Sequence, residues 1–239
     1  MNAMPEARSV DAGRGVSWWG EAWTLFTRNV GMWIVLGLIL IVALVLLGII
    51  PLIGSLAAPL LVPAFVGGWL SAARKAETGA GLEPGDLFAG FKTKAQPLLA
   101  LGALLLLATL LIGLVMGALG FGGAMGMMRG GGPHGAGGMV AGMSAGLPAM
   151  LAGLVLGFAV AMAFWFAPAL VMLRDVPPVD ALKASFAAAM KNIVPFLLFG
   201  VIYLAAATLA SLLFGLGWIV LVPLVMLTAY VSYKDVFGA

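Results

Sequence analysis

"IIPLIGSLAAPLLVPAFVGGWLSAARK", residues 49–75, sets out the organisation of the chain in one stretch. An apolar run stops at Pro51, a second begins within a few residues, Pro59 and Pro63 sit inside it, and it ends at Arg74 and Lys75. Proline and glycine end helices, so "PLIG" reads as a tight turn between two apolar helices. Upstream, the first run reaches back to Gly31, long enough to cross a bilayer core with roughly 20 residues.

Six such stretches can be marked outward from this pair: Gly31 to Ile50, Ser55 to Ala73, Leu98 to Leu119, Pro148 to Leu173, Phe196 to Phe214 and Trp218 to Tyr233. The composition agrees, with 63% of the 239 residues apolar and 9% charged, against about 25% charged in a soluble domain. The expected fold is therefore all-α and membrane-embedded, with six transmembrane helices in a single domain, 1–239. Cysteine is absent, which excludes disulfides and thiolate chemistry. The net charge of +3 does not point to nucleic acid, because the basic residues sit dispersed at the ends of apolar runs.

The first 29 residues are polar and aromatic, without an apolar core leading to a cleavage site, so the first span is expected to act as its own insertion signal. With the N terminus inside, that side receives Arg8, Arg14, Arg28, Arg74, Lys75, Lys92, Lys94, Arg174, Lys183, Lys191 and Lys234; the far side receives Arg129. This positive-inside bias predicts a bacterial inner (cytoplasmic) membrane protein with both termini cytoplasmic.

The opening stretch also has counterparts. "WFAPALVMLRD" and "LVPLVMLTAYVSYKD" repeat an apolar helix with a proline and a basic end. Pro63 stands eleven residues before Arg74 and Pro223 eleven before Lys234, while Pro168 precedes Arg174 by six. Each is preceded by another apolar helix and an amphipathic lead-in: "SWWGEAWTLFTRNVGMW", "GDLFAGFKTKAQPLL" and "DALKASFAAAMKNIVPFLL". The reading is three parallel helical-hairpin repeats, 16–75, 83–175 and 178–236, the second carrying an outward Gly/Met-rich insertion at 120–146. Helix kinks are expected at Pro63, Pro168 and Pro223. Each lead-in is expected to lie as an interfacial helix at the headgroup level, anchored by Trp19, Trp23, Phe26 and Arg28 in the first and by Phe186 and Lys191 in the last.

No span has an ionisable residue in its central part, where such groups are costly and usually functional. Thr109, Tyr203, Thr208, Ser211, Thr228 and Tyr230 form the polar remainder and are expected to join helices by hydrogen bonds. Asp86 reads as a helix N-cap with Glu83 before it. Gly113 and Gly117, with Gly153 and Gly157, have the four-residue spacing that lets helices approach closely. Met125, Met128, His134, Met139 and Met143 are soft ligands suited to copper(I), with apolar packing as the default role of the methionines. The flanks of "RGGGPHG" are expected to extend the third and fourth helices.

"FAPALV", followed by Ser185-Phe186, Asn192, Pro195-Phe196 and Gly200, resembles an uncharacterised proteobacterial family of six-span integral inner-membrane proteins. More remotely, the layout is similar to the membrane domain that accompanies some glycerophosphodiester phosphodiesterases, a domain that is not their catalytic part. The resemblance implies inner-membrane residence and a six-helix fold, with no site residues attached. The expected function is non-enzymatic: a scaffold, accessory subunit or assembly partner without cofactors. Its surroundings are the lipid bilayer and either a membrane-protein partner or a second copy. A carrier or channel for lipid or a small apolar solute is the alternative, with outer-face copper(I) binding as a lesser one.

Overall fold

The computed structural model describes residues 6–50, 52–130, 136–212 and 214–238, the side chains of 121–149 excepted. Every regular element among them is helical. In order these are α1 (Arg14–Thr27), α2 (Val30–Ile49), α3 (Ile53–Glu77), a 3-10 turn (Pro84–Phe88), α4 (Ala89–Thr93), α5 (Ala95–Gly130), α6 (Ala136–Trp165), α7 (Ala167–Arg174), α8 (Pro178–Lys191), α9 (Ile193–Leu212) and α10 (Trp218–Phe237). Six segments are long and apolar enough to cross a membrane: Val30–Ile49, Ile53–Glu77, Ala95–Gly120, Met150–Arg174, Ile193–Leu212 and Trp218–Phe237. They match the six apolar stretches to within a few residues.

The chain divides into two compact units, Met1–Ala103 with Met162–Ala239, and Leu104–Ala161. In the larger unit α3 packs against α2, α7 and α10, and α1 lies along α9 and α10. Its core holds Trp33 of α2 stacked on Trp69 of α3, ring centroids 5.7 Å apart, together with Phe166, Leu170 and Leu227, all fully buried. A second aromatic group ties α1 to α9 and to the α6–α7 junction. Trp18 meets Phe196 at 5.5 Å, Trp19 stacks on Phe199 at 5.2 Å, and Trp165 meets Phe199 at 5.0 Å. Such pairs add about 0.5–1.5 kcal/mol each beyond the area they bury. The opposite faces of α2 and α9 present Val42, Val45, Leu46 and Ile49, and Val201, Leu204 and Leu212, more than half exposed. Apolar surface of this extent marks contact with lipid.

Across the break between α2 and α3 the Gly54 N–H donates to the Ile50 carbonyl at 2.8 Å. Leu52 adopts φ +65° and ψ −56°, a positive-φ conformation rare for a leucine, and α3 begins at the next residue. Gly54 makes the turn fit, since a Cβ there would lie 1.8 Å from the Leu47 carbonyl oxygen. Gly68 serves the same end deeper in α3: a Cβ would stand 1.9 Å from Leu87 O, so the 3-10 turn seats directly on the helix backbone.

Prolines act in two ways. Pro59 and Pro63 lie inside α3 and Pro223 inside α10, while Pro168 falls in the first turn of α7, just past a break at Phe166. At that break the hydroxyl of Ser185 enters the helix ladder. It accepts from the Phe166 N–H at 3.0 Å and donates to the Met162 carbonyl at 2.8 Å, the two groups that would bond each other in an unbroken helix.

In the smaller unit the glycine spacing does less than expected. Among the described residues a Cβ on Gly113, Gly117 or Gly157 would meet nothing within 4 Å, whereas one on Gly153 would lie 2.7 Å from Met116 Sδ. Spacing places small residues on one helix face, and only contact with a neighbour makes that face an interface. The flanks of the Gly/Met stretch are helical, up to Gly130 on one side and from Ala136 on the other.

Candidate functional site

α3, α7 and α10 each carry a basic residue in the last turn: Arg74 with Lys75, Arg174, and Lys234. A helix C terminus favours cations there. Their charges, with those of α1, gather around two adjoining clefts of about 410 and 340 Å³ that share Glu77, Tyr230 and Lys234. The larger is also lined by Arg14, Glu21, Arg28 and Asp235, the smaller by Arg74, Arg174 and Tyr233.

Asp235 is the hub on the α1 side. It accepts from Arg14 Nε at 2.6 Å and from Trp18 Nε1 at 2.8 Å, while Arg14 Nη2 reaches Glu21 at 2.9 Å. The hydrogen bond to Asp235 raises the Arg14 guanidinium above its ordinary pKa, so the arginine stays charged. Replacing Asp235 with alanine is expected to cost about 1.5–3 kcal/mol, the worth of hydrogen bonds to a charged group. Replacing Glu21, whose side chain is 48% exposed, should cost less than about 1 kcal/mol. Thermal unfolding in detergent followed by tryptophan fluorescence checks both, and equal melting of the two variants would refute the assignment of Asp235 as hub.

On the other side, Glu77 accepts from the Tyr230 hydroxyl at 2.7 Å and pairs with Lys234. Arg174 donates from Nε to the Tyr233 hydroxyl at 3.0 Å and from Nη2 to the Phe237 carbonyl at 2.9 Å. Lys75 pairs with Asp86 at 3.1 Å, and Lys94 pairs with Asp175. Asp86 differs from the expected cap. Glu83 holds the capping position of the 3-10 turn, and the Asp86 carboxylate reaches back to the Glu83 N–H at 2.8 Å. The exchange follows from proline at the next position, which places Asp86 third in the turn.

Among the described residues no three His, Asp or Glu side chains gather as a metal would require. The arrangement that is present holds helix ends together and offers cations and aromatic hydroxyls to a ligand.

Of the four anchors read on α1, Trp23 is 52% exposed, Trp19 is half-buried, Phe26 lies inside the core, and Arg28 lines the larger cleft. The buried face of α1 is Trp18, Ala22, Leu25 and Phe26, one step around the helix from the aromatic stripe. On α8, Phe186 and Met190 are exposed, while Ala181, Ser185, Ala188 and Ala189 face the protein. Lys191 donates to the Ala7 carbonyl at 2.8 Å. The polar residues of the spans bond mostly to their own helices: Thr109 to Leu106 O, Thr208 to Leu204 O, Ser211 to Ala207 O and Thr228 to Leu224 O. Tyr230, bonded to Glu77, does join two helices, and so does Ser211, which also accepts from Trp218 Nε1 of α10 at 3.3 Å. The side chains of Met125, Met128, Met139 and Met143, and His134 as a whole, lie outside the described residues.

Asn192 carries more of the structure than its place in the sequence suggests. Buried between α8 and α9, it accepts from the Val10 N–H at 2.8 Å and donates to the carbonyls of Arg8 and Ala188, each at 2.9 Å. Arg8 N–H in turn donates to Val236 O at 2.8 Å. An asparagine between two apolar runs is the available signal; its partners, far away in sequence, leave none.

Six apolar helices, lipid-facing aliphatic surfaces and charges gathered at helix ends define an integral membrane protein. The chain belongs to the family described as a domain of unknown function (DUF7847), which matches residues 29–236. It is also 31% identical, over 251 aligned residues, to a probable inner membrane protein of Burkholderia thailandensis, covering 96% of this chain and 93% of that one. No solved structure matches significantly.

Proposed function

We propose that the protein is a non-catalytic scaffold, accessory subunit or assembly partner of the bacterial inner membrane, with both termini in the cytoplasm. The observation that carries this reading is the filled interior of the larger unit, where Trp33, Trp69, Phe166 and Leu227 are fully buried in one continuous core. A transport path needs an interior that opens, and these side chains occupy it. The orientation rests on the positive-inside bias. The remote similarity to a membrane domain that accompanies a separate catalytic part is consistent with an accessory role.

The three-repeat arrangement belongs to the same reading. Its support is the element order, in which short helices (α1, α4, α8) precede pairs of long ones, together with basic ends on α3, α7 and α10. Exposed Trp23, Phe186 and Met190 support α1 and α8 as helices at the headgroup level. Affinity purification of tagged protein at native expression, with crosslinking in the membrane before solubilisation, tests the scaffold role. A reproducible partner or a self-crosslinked species is expected. Recovery of neither sinks the proposal.

A carrier for lipid or a small apolar solute is the second reading. The breaks and prolines in α3, α7 and α10 favour it, as does the indole N–H of Trp69, buried without an acceptor among the described residues. Flux in proteoliposomes that responds to substitution of Pro63, Pro168 or Pro223 would establish it over the scaffold.

A further inference from the structure

The smaller cleft brings together the basic ends of three different helices: Arg74 of α3, Arg174 of α7 and Lys234 of α10. One carboxylate, Glu77, faces them, and it is paired with Lys234. Arg74 makes no ion pair among the described residues. Arg174 is held by neutral oxygens, those of Tyr233 and Phe237, so its position is fixed while its charge is not cancelled. The Tyr233 ring lies 5.9 Å from the Arg174 guanidinium carbon and fixes it further. Of the five N–H donors on that guanidinium, two are engaged. The pocket thus carries two positive charges in excess, with free planar donors, beside the Thr78 and Tyr230 hydroxyls.

We propose that this cleft binds a phosphate group, that of an anionic lipid headgroup. A guanidinium matches two phosphate oxygens at once, which a chloride or a single carbonyl cannot exploit. The depth fits a headgroup, because Arg74, Arg174 and Lys234 stand in the last turns of membrane-crossing segments. The carbonyls at those helix ends oppose an anion with roughly half a charge each. Arg174 already covers one of them, at Phe237. Two further points favour the site over a purely structural role for its cations. Arg74 has no ion-pair partner among the described residues, and the cleft of about 340 Å³ is large enough for a phosphate and part of its ester.

The test uses the full-length chain purified in detergent and in nanodiscs of phosphatidylcholine with or without phosphatidylglycerol. Native mass spectrometry reads retained lipid, and thermal unfolding reads stabilisation. Inorganic phosphate and glycerol phosphate are titrated separately. Retention of phosphatidylglycerol over phosphatidylcholine is expected, with Arg74→Gln weakening it about tenfold or more, the worth of a charge-assisted hydrogen bond. Arg74 is exposed and makes no ion pair among the described residues, so this variant should melt like the parent in phosphatidylcholine. Arg28→Gln removes a charge from the neighbouring cleft and should leave retention within about twofold of the parent. Stabilisation by phosphatidylglycerol but not by the soluble anions assigns the site to lipid. Equal stabilisation by inorganic phosphate overturns the lipid assignment. Unchanged retention in Arg74→Gln, or an equal loss in Arg28→Gln, overturns the site itself.

Discussion

Replacing Ser185 with alanine is expected to lower stability by about 2–6 kcal/mol, from two backbone groups each left unpaired at about 1–3 kcal/mol. The hydroxyl is fully buried and stands between the Phe166 N–H and the Met162 carbonyl. The site is closed to bulk solvent, so solvation offsets little of the loss. The reason the helix needs this insert is Pro168. Its ring clashes with the carbonyl four residues back, at Phe164, and it brings no N–H to that carbonyl, which forces the ladder open just upstream. The break and the serine are therefore one device built from two helices, and they should behave as a coupled pair. In a Pro168→Ala background the α6–α7 junction can close by direct bonding of Phe166 to Met162, and Ser185→Ala should then cost at least about 1 kcal/mol less. Thermal unfolding of the four proteins in one detergent gives the coupling. An additive cycle, or a Ser185→Ala protein melting with the parent, would show that the hydroxyl is not what holds the junction.

The sequence made the spans readable because hydropathy and helix breakers are local properties, and "PLIG" and "GLG" both fall where the chain turns. It did not reveal which side of a helix faces protein. Trp19 and Trp23 form the more conspicuous stripe on α1, yet the fully buried positions are Trp18 and Ala22. Apolar and aromatic residues extend around more than one side of α1, so the aromatic stripe alone does not mark the buried side, and close contact on α1 and α8 is made by small residues such as Ala22, Ala181 and Ala188. Gly113 and Gly117 show the converse, small residues at the right spacing with nothing against them among the described residues. The site was half legible. The basic ends of three helices were visible in sequence as a topological signal, but their convergence on Glu77 depends on how α3, α7 and α10 pack. Ser185 and Asn192 stood out in the family resemblance without a role; each acquires one only through backbone partners outside its own local sequence.

Replacing Asn192 with aspartate is expected to destabilise the protein by about 3–5 kcal/mol, as an uncompensated buried charge does. A carboxylate could still accept from Val10 N–H, but it would face the carbonyls of Arg8 and Ala188 with no proton to give. The side chain is 1% exposed, so solvent cannot screen the repulsion. The penalty belongs to the ionised form and should shrink as pH falls and the carboxyl regains a donor. Asn192→Ala removes the same bonds without the charge and should cost less, about 1–3 kcal/mol. Both variants should also release the segment that Asn192, Lys191 and Val236 hold at residues 7–10. Trypsin cleavage after Arg8, followed by mass spectrometry, reads that release separately from global melting. Roughly tenfold faster cleavage is expected for each 1.4 kcal/mol of local stability lost. Arg8 as protected in Asn192→Asp as in the parent, at a pH where the carboxyl is ionised, would mean that the amide clamp does not restrain the N-terminal segment. If it does, the segment is what keeps α1 pressed along α9 and α10, because Arg14 and Trp18 reach Asp235 from the same strand of chain. Loosening Asn192 should then weaken the Asp235 hub as well, and the Asn192→Ala and Asp235→Ala costs should fall short of additive.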